Sequence, residues 1–176
     1  MASWEHFNAL PHMGPHHAAI LGRYAQRAKR ILEYGSGGST LFLAMVALKA
    51  RIVSLEHDRE WRQRVTRALE WERMEGWEMA PVEVYHVSRD GYRWANWSWT
   101  KAPGASFIPD LVFVDGLDRD VCLKDAWTFL PSGGIVILHD AERPYVRGEG
   151  WETLYEDVDK DWLENPAAKL WVGRKP

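Results

Sequence analysis

A short glycine-rich segment, GSGGST, separates two apolar runs in the first third of the chain. Glycines in such a turn let the backbone bend sharply and let a ligand approach the main chain closely. A helix that begins directly after the turn would add free N–H groups and a partial positive charge. A tight turn with no ligand would look the same, so this segment needs support from other residues. Its members are Gly35, Ser36, Gly37, Gly38, Ser39 and Thr40.

Glu56 supplies that support, because it ends the next apolar run about twenty residues after the glycines. In a doubly wound sheet, an acid at this position lies beside the glycine turn and can accept hydrogen bonds from both hydroxyls of a ribose. The alternative is a surface acid that contacts only solvent. The combination of glycine turn and acid favours a ligand that contains a ribose.

The residues around the turn disfavour a phosphate-binding loop. A P-loop requires a lysine after the glycines, where this chain has Ser39 and Thr40. A dinucleotide fingerprint requires a third small residue at Thr40, and Gly38 breaks its spacing. Glu33 lies just before the turn, where a carboxylate would repel a pyrophosphate but could hold an ammonium group. The expected ligand therefore carries a ribose and an amine, and no phosphate.

Further polar residues directly follow two fully apolar runs, LVFV and IVIL. Asp115 follows the first run, and His139 and Asp140 follow the second. Parallel strands end at the same edge of a sheet, so these side chains should converge. His139 is the natural general base by its pKa, although it could instead be a strand-end histidine bonded to a loop. Asp115 closes a buried strand and needs a partner, which makes it a candidate for both catalysis and cofactor binding.

Aromatic residues crowd the segment between residues 92 and 99. Trp94, Trp97 and Trp99 are too close in sequence to share one face of a helix, so a long loop is expected here. Their rings could stack on a planar or cationic substrate, or they could cover a sheet edge or a homodimer interface. Interleaved arginine and tryptophan also suit single-stranded nucleic acid, but Arg93 and Lys101 are too few to line a groove.

The elements that must position these residues alternate between helical and extended patterns. Helical spacing covers residues 14–29, 41–49, 58–75, 120–130 and 151–163. Apolar or alternating runs cover residues 30–34, 51–55, 81–87, 110–115, 135–138 and 169–172. This order predicts an α/β fold, a doubly wound and mostly parallel sheet with helices on both faces. All 176 residues are expected to form one domain, with residues 1–29 as an N-terminal helical segment packed on it.

Composition argues against several classes of protein. The net charge of −3 gives no general attraction to nucleic acid or to an anionic membrane. Cys122 is the single cysteine, so no internal disulfide can form, and its apolar surroundings predict a small buried residue. The sequence has neither an apolar stretch long enough to span a membrane nor a signal-peptide pattern, so a cytoplasmic location is expected.

Four segments together resemble class I S-adenosylmethionine-dependent methyltransferases. ILEYGSGGST resembles the first motif of that family, VSLEHD the second, and DLVFVDG and LPSGGIVILHD its fourth and fifth strands. The resemblance implies S-adenosylmethionine as the cofactor, with Glu33 and the glycine turn at its methionine end. It also implies that Glu56 binds the ribose hydroxyls and that His57 lies against the adenine. By position, the adenine edge would be contacted by Ser88, Arg89 and Asp90.

The C-terminal end of the chain departs from the pattern of that family. Family sheets add a reversed strand hairpin there, whereas this chain leaves room for one further strand, so a shortened sheet is expected. A closer resemblance is to small methyltransferases with a VDG segment, an arginine, a cysteine and a strand that ends in HDAERP. That resemblance makes Arg119 a candidate for binding the substrate and implies no common substrate.

Catechol-type methyltransferases hold magnesium with two acids and an asparagine. Asp115 and Asp140 could play the part of the acids, but Ala141 stands where the asparagine would follow. His139 could take its place for zinc or manganese, since imidazole suits magnesium less well. A metal ion is therefore not expected.

The sequence thus predicts a methyltransferase that acts on an oxygen or nitrogen of a small molecule, with Asp115, His139 and Asp140 as catalytic candidates. Two alternatives stay open: an NAD-linked oxidoreductase of similar topology, and a non-catalytic domain that serves as a binding or scaffold module. The absent third glycine and Glu33 count against NAD. The sequence does not specify the methyl acceptor.

Overall fold

Helices and strands alternate from α1 to β3 as the sequence predicts, and a further helix separates β4 from β5. The computed structural model describes residues 11–88, 107–142, 150–160, 162 and 164–176. The helices are α1 (Pro15–Ala25), α2 (Gly38–Val46), α3 (Arg59–Met74) and α4 (Arg119–Phe129). The strands are β1 (Arg30–Tyr34), β2 (Arg51–Glu56), β3 (Val82–His86), β4 (Leu111–Val114), β5 (Ile135–Leu138), β6 (Glu152–Val158) and β7 (Lys169–Arg174). Within the described residues, no helix has the length and apolar character needed to cross a membrane.

One seven-stranded sheet holds these strands in the spatial order β3-β2-β1-β4-β5-β7-β6. Strands β1 to β5 are parallel, and β7 lies antiparallel between β5 and β6. The order of strands reverses at β1, which has β2 on one side and β4 on the other. The doubly wound, mostly parallel α/β fold is therefore confirmed, and its switch point lies where the glycine turn leaves β1.

The sheet separates two layers of apolar side chains, because its central strands are buried on both faces. One layer holds the apolar faces of α1, α2 and α3, represented by Leu21, Leu43 and Leu69. The other layer holds α4, whose Cys122 and Leu123 are fully buried. Helices on both faces match the prediction, and so does the burial of Cys122. Burial raises the pKa of its thiol, which keeps the sulfur protonated and unreactive.

The predicted helix over residues 151–163 is wrong, and so is the shortened C-terminal end of the sheet. Residues Glu152–Val158 form β6, which pairs antiparallel with β7 and gives the sheet a reversed hairpin. Trp151 packs edge-on against Trp127 and Trp171, with ring centroids 4.8 and 6.3 Å away. Helical spacing in this segment was therefore misleading, because strand pairing and aromatic packing with distant residues decide its conformation.

Candidate active site

The turn after β1 and the turn after β4 touch at the carboxyl edge of the sheet. Gly35 has a φ of +92°, in the left-handed region that favours glycine. A Cβ atom on Gly35 would lie 2.7 Å from both the N and the Cα of Gly116, the residue after Asp115. No side chain fits between these two turns, so they meet through their backbones. The contact places Asp115 beside the glycine turn, as the parallel strands predict.

Glu33 lies beneath the glycine turn and holds it to the sheet. Its carboxylate accepts hydrogen bonds of 2.6 Å from three hydroxyls, those of Ser39, Thr40 and Ser54. The Oγ1 of Thr40 also accepts the N–H of Gly37 at 2.9 Å, which fixes the start of α2. Burial raises the pKa of Glu33 to about 7, although the three hydroxyls act to lower it.

This placement of Glu33 differs from the role that the family resemblance implies. Contact with the ammonium group of a methionine moiety requires an accessible carboxylate, whereas the Glu33 side chain is fully buried. Ser39 and Thr40 are buried with it and point their hydroxyls inward. A ligand at the turn would therefore meet the backbone of residues 35–38 rather than these three side chains.

Glu56 ends β2 and faces the same turn from the side of the neighbouring strand. Its Oε2 accepts hydrogen bonds from the N–H and the hydroxyl of Ser36, at 3.0 and 2.9 Å. Its Oε1 accepts the N–H of Asp58 at 2.9 Å and lies 2.9 Å from Nδ1 of His57. The acid is therefore adjacent to the glycine turn, as predicted. In this conformation Ser36 occupies one of its two oxygens.

Trp61, in the first turn of α3, is a site residue that the sequence analysis misses. Its indole Nε1–H donates to the backbone carbonyl of Ser36 at 2.7 Å, and its side chain stays partly exposed. Asp58 caps α3 by accepting hydrogen bonds from the N–H groups of Glu60 and Trp61. The cap fixes the first turn of the helix and therefore the position from which the Trp61 side chain projects. An aromatic residue three positions after a capping acid at the end of the second motif was the available signal.

A second group of polar residues, called here the acid–histidine cluster, consists of Asp115, Arg119, His139 and Asp140. Asp115 Oδ1 lies 3.0 Å from Nδ1 of His139 and accepts an N–H of Arg119 Nη2 at 2.8 Å. Arg119 Nη1 donates to Asp140 Oδ2 at 3.0 Å. The ends of β4 and β5 thus bring the three catalytic candidates together, as predicted.

Arg119 is placed inside this cluster rather than at an open substrate surface. The Arg119 side chain is 7% exposed. Arg119 is the first residue of α4, four residues after Asp115, and its side chain points back to the end of β4. Nη2 donates a further hydrogen bond to the backbone carbonyl of Asp115 at 2.9 Å. The position suits a cation that neutralises the two acids, and it differs from the predicted role in binding the substrate.

His139 is 2% exposed, and opposing influences act on its imidazole. Burial lowers its pKa, but the hydrogen bond and charge of Asp115, together with the charge of Asp140, outweigh burial and raise the pKa above its ordinary value. Its Nε2 has no hydrogen-bond partner in the part of the chain that the structure describes. With Nδ1 held by a carboxylate, Nε2 is the nitrogen left to exchange a proton.

His17, on α1, lies beside the cluster and is not among the candidates from the sequence, because α1 was taken as a packing element. The rings of His17 and His139 lie edge to face with centroids 6.2 Å apart. His17 is fully buried, and its ring nitrogens make no hydrogen bond of standard geometry with described residues. Burial lowers its pKa against the raising effect of the Asp159 charge, so the ring is neutral near pH 7.

The remaining candidates are half-buried or exposed, or lie outside the described ranges. His57 is 36% exposed beside Glu56, where the resemblance places an adenine neighbour. Ser88 follows β3 and is exposed. Five candidates lie outside the described residues: Arg89, Asp90, Trp94, Trp97 and Trp99.

Three ligand-type side chains of the cluster lie close enough to surround a metal ion. Asp115, His139 and Asp140 each offer one atom within 4.8 Å of the others. Both carboxylates are already bonded to the guanidinium of Arg119, however. Ala141 follows Asp140 and offers no side-chain ligand. As folded, the set does not fit a divalent cation unless Arg119 moves away.

No model of a known protein family and no curated protein matches the sequence, but solved structures match the fold over most of the chain. A methyltransferase-like protein from Silicibacter pomeroyi is 18% identical, with a TM-score of 0.61, covering 96% of this chain and 91% of that one. The N-methyltransferase NodS from Bradyrhizobium japonicum is 13% identical, with a TM-score of 0.62 and coverage of 92% and 95%. An O-methyltransferase from Bacillus cereus, in complex with SAH, is 14% identical, with a TM-score of 0.64 and coverage of 94% and 84%.

These identities are low, so the likeness shows the fold alone. The chain has the Rossmann-like fold of class I S-adenosylmethionine-dependent methyltransferases, as its four sequence segments predict. Binding of S-adenosylhomocysteine (SAH), the demethylated cofactor, is a property of the Bacillus cereus protein.

Proposed function

We propose that the protein is an S-adenosylmethionine-dependent methyltransferase that acts on an oxygen or nitrogen of a small molecule. The observation that carries the proposal is the contact between the glycine turn and the acid–histidine cluster, where Gly35 meets Gly116. This contact sets a cofactor-type turn directly beside a carboxylate paired with an imidazole. N- and O-methyltransferases of the same fold support the assignment.

On the cofactor side, the backbone of the turn and Glu56 supply the contacts in this proposal. Ribose hydroxyls would displace Ser36 from Oε2 of Glu56, since a carboxylate at this strand end can accept from both of them. His57 lies beside Glu56, where its ring could pack on a flat base. The methionine end would follow residues 35–38 towards Asp115, whose charge suits an ammonium group.

On the acceptor side, methyl transfer from a sulfonium requires mainly that the acceptor be held in line with the methyl group. When the acceptor is a hydroxyl or an ammonium, a base must also remove its proton. Asp115 holds Nδ1 of His139, so Nε2, which is buried in this conformation, is the nitrogen left to take that proton when an acceptor reaches it. The C–S bond of the donor breaks as the new C–O or C–N bond forms, and the products are the methylated acceptor, SAH and a protonated imidazole.

The proposal is tested by thermal unfolding with SAH, NAD and ATP in separate samples. Ligand at about 100 times its dissociation constant should add roughly 2.7 kcal/mol to the free energy of unfolding. For a domain of this size, that corresponds to a rise of about 5–10 °C in melting temperature. A rise with SAH alone is expected. A rise only with NAD or ATP, or none with any of the three, would contradict the proposal.

The variant Glu56→Ala tests whether the ribose of the cofactor binds at the end of β2. Loss of charge-assisted hydrogen bonds to a ribose should weaken SAH binding by about 1.5–3 kcal/mol, measured by calorimetry. The matched control is Glu70→Ala, which removes an exposed carboxylate from α3. Unchanged affinity in Glu56→Ala would remove Glu56 from the ribose site.

A further inference from the structure

The guanidinium of Arg119 lies between the two acids of the acid–histidine cluster. Nη2 donates to Asp115 Oδ1 at 2.8 Å, and Nη1 donates to Asp140 Oδ2 at 3.0 Å. A third hydrogen bond joins Nη2 to the backbone carbonyl of Asp115 at 2.9 Å. One rigid, planar cation therefore bridges the ends of β4 and β5.

Arg119 neutralises one of the two negative charges of the cluster. Two carboxylates face one guanidinium, which stays protonated at every relevant pH, and His139 lies beside them. The side chains of Asp115, Asp140 and Arg119 are 22%, 13% and 7% exposed, so water screens them only in part. A divalent ion added to the set would leave an excess of positive charge in a poorly solvated place.

The backbone fixes Arg119 and Asp140 against each other. Asp118, directly before Arg119, has a left-handed φ of 47°, and Asp140 itself has a φ of 52°. Left-handed residues other than glycine are uncommon, and they persist where the surrounding structure demands them. Two of them flank a single guanidinium here. The ion pair is therefore part of the architecture of both turns rather than a chance contact of a flexible side chain.

We propose that Arg119 is a built-in cation that occupies the metal position of this acid pair and excludes divalent ions from it. The position is the one that would correspond to the two magnesium-binding acids of catechol-type methyltransferases, a pattern from which this chain departs at Ala141. Arg119 draws Asp115 and Asp140 together and shares Oδ1 of Asp115 with Nδ1 of His139. It is thus a positioning residue for the Asp115–His139 pair. Proton removal at this site is then the task of an imidazole.

The test measures binding of Mn²⁺ by electron paramagnetic resonance and of Co²⁺ by visible absorption, using protein treated with a chelator. Wild-type protein and Asp140→Asn should show the same weak binding. Arg119→Gln should bind both ions at least about 100-fold more tightly than wild type, because the competing positive charge is gone. The gain should disappear in the double variant Arg119→Gln with Asp140→Asn. Arg119→Lys keeps the charge and is the matched control, with no gain expected.

Circular dichroism establishes that each variant is folded before metal is added. Tight binding by the wild type that Asp140→Asn abolishes would overturn the proposal. A folded Arg119→Gln that binds no more metal than wild type would also overturn it, because another feature would then exclude the ion. Should Arg119→Gln fail to fold, Arg119→Met, which removes the charge and keeps a long side chain, takes its place: tighter binding than wild type supports the proposal, and unchanged binding overturns it.

Metal exclusion by Arg119 is independent of methyl transfer, because these titrations need neither cofactor nor acceptor. A wild-type protein that shows no thermal shift with SAH would contradict the proposed function and leave the role of Arg119 standing. A wild-type protein that binds SAH and also binds Mn²⁺ through Asp140 would contradict the role of Arg119 and leave the proposed function standing. The two failures are therefore distinguishable.

Discussion

The carboxylates at the two ends of the candidate site have different kinds of hydrogen-bond partner. Around the glycine turn, Glu33 and Glu56 accept hydrogen bonds mainly from hydroxyl and backbone N–H groups, which carry no charge. In the acid–histidine cluster, Asp115 and Asp140 are paired with a guanidinium and an imidazole. Neutral donors offset only part of the cost of burying a charge, whereas a cation offsets more of it.

The difference determines which group titrates abnormally at each end. At the turn the carboxyl of Glu33 has its pKa raised to about 7. In the cluster the imidazole of His139 has its pKa raised instead, because its acidic neighbours favour the protonated ring. The turn therefore uses a carboxylate as a structural acceptor. The cluster holds the titratable nitrogen that proton transfer requires.

Gly35→Ala should have the largest effect on stability, because it would push the glycine turn and the acid–histidine cluster apart. The new Cβ would lie 2.7 Å from the Gly116 backbone, and the φ of +92° adds left-handed strain of about 1–2 kcal/mol. We expect chemical denaturation to show a loss of at least about 3 kcal/mol in the free energy of unfolding. Gly76→Ala is the matched control, because Gly76 has the same φ and nothing within 4 Å. Equal losses would show that the Gly35–Gly116 contact does not join the regions.

Glu33 should make stability depend on pH between about 4.5 and 7. In this window the folded protein keeps the Glu33 proton while the unfolded chain loses it, so the free energy of unfolding falls as pH rises. The expected fall is on the order of 3 kcal/mol, complete near pH 7. Urea unfolding at a series of pH values measures it.

Glu33→Gln should remove this slope and keep the hydrogen bonds, since an amide can bond to the three hydroxyls. Above pH 7 the variant should then be at least as stable as the wild type, because an ionised buried carboxylate has been replaced by a neutral group. A variant that retains the wild-type slope between pH 4.5 and 7 would assign that slope to another residue.

Titration of His139 should change the free energy of unfolding at a higher pH than titration of Glu33 does. The change should also be smaller, because burial opposes the neighbours that raise the pKa of His139. A raised pKa means that the folded state favours the protonated ring. The stabilisation is therefore complete below the ordinary pKa of 6.5 and is lost as pH rises through the folded pKa. His139→Gln should lower stability below pH 6.5 and flatten the fall above it, measured by urea unfolding in the Glu33→Gln background. An unchanged slope above that pH would show that the cluster does not hold a protonated imidazole.

The location of most candidate residues could be predicted from the sequence. Apolar runs such as LVFV and IVIL end at polar residues, and parallel strands place those residues at one edge of the sheet. Glu56, Asp115, His139 and Asp140 all lie where this reasoning puts them. The glycine turn could be located for a local reason, because its glycines and the hydroxyl of Thr40 that bonds to Gly37 adjoin in sequence.

Several hydrogen-bond partners of the site residues could not be predicted, because they depend on how separate elements pack. The hydroxyls around Glu33 belong to α2 and to Ser54 of β2, and no spacing rule specifies that they converge. The placement of Arg119 depends on two left-handed turns, and that of His17 on how α1 packs against the sheet. For the same reason β6 was taken as a helix, since its conformation depends on pairing with β7.

Ser36→Ala should have the smallest effect and separates binding from structure at the turn. The Ser36 hydroxyl donates to Oε2 of Glu56 at 2.9 Å, and its removal leaves the N–H bond at 3.0 Å in place. Since a ribose no longer has to displace that hydroxyl, SAH should bind roughly 2- to 10-fold more tightly by calorimetry. Ser39→Ala is the matched control: its hydroxyl bonds to Glu33 beneath the turn, so stability should fall with no gain in affinity. Weaker binding in Ser36→Ala would mean that the hydroxyl contacts the ligand instead of competing with it.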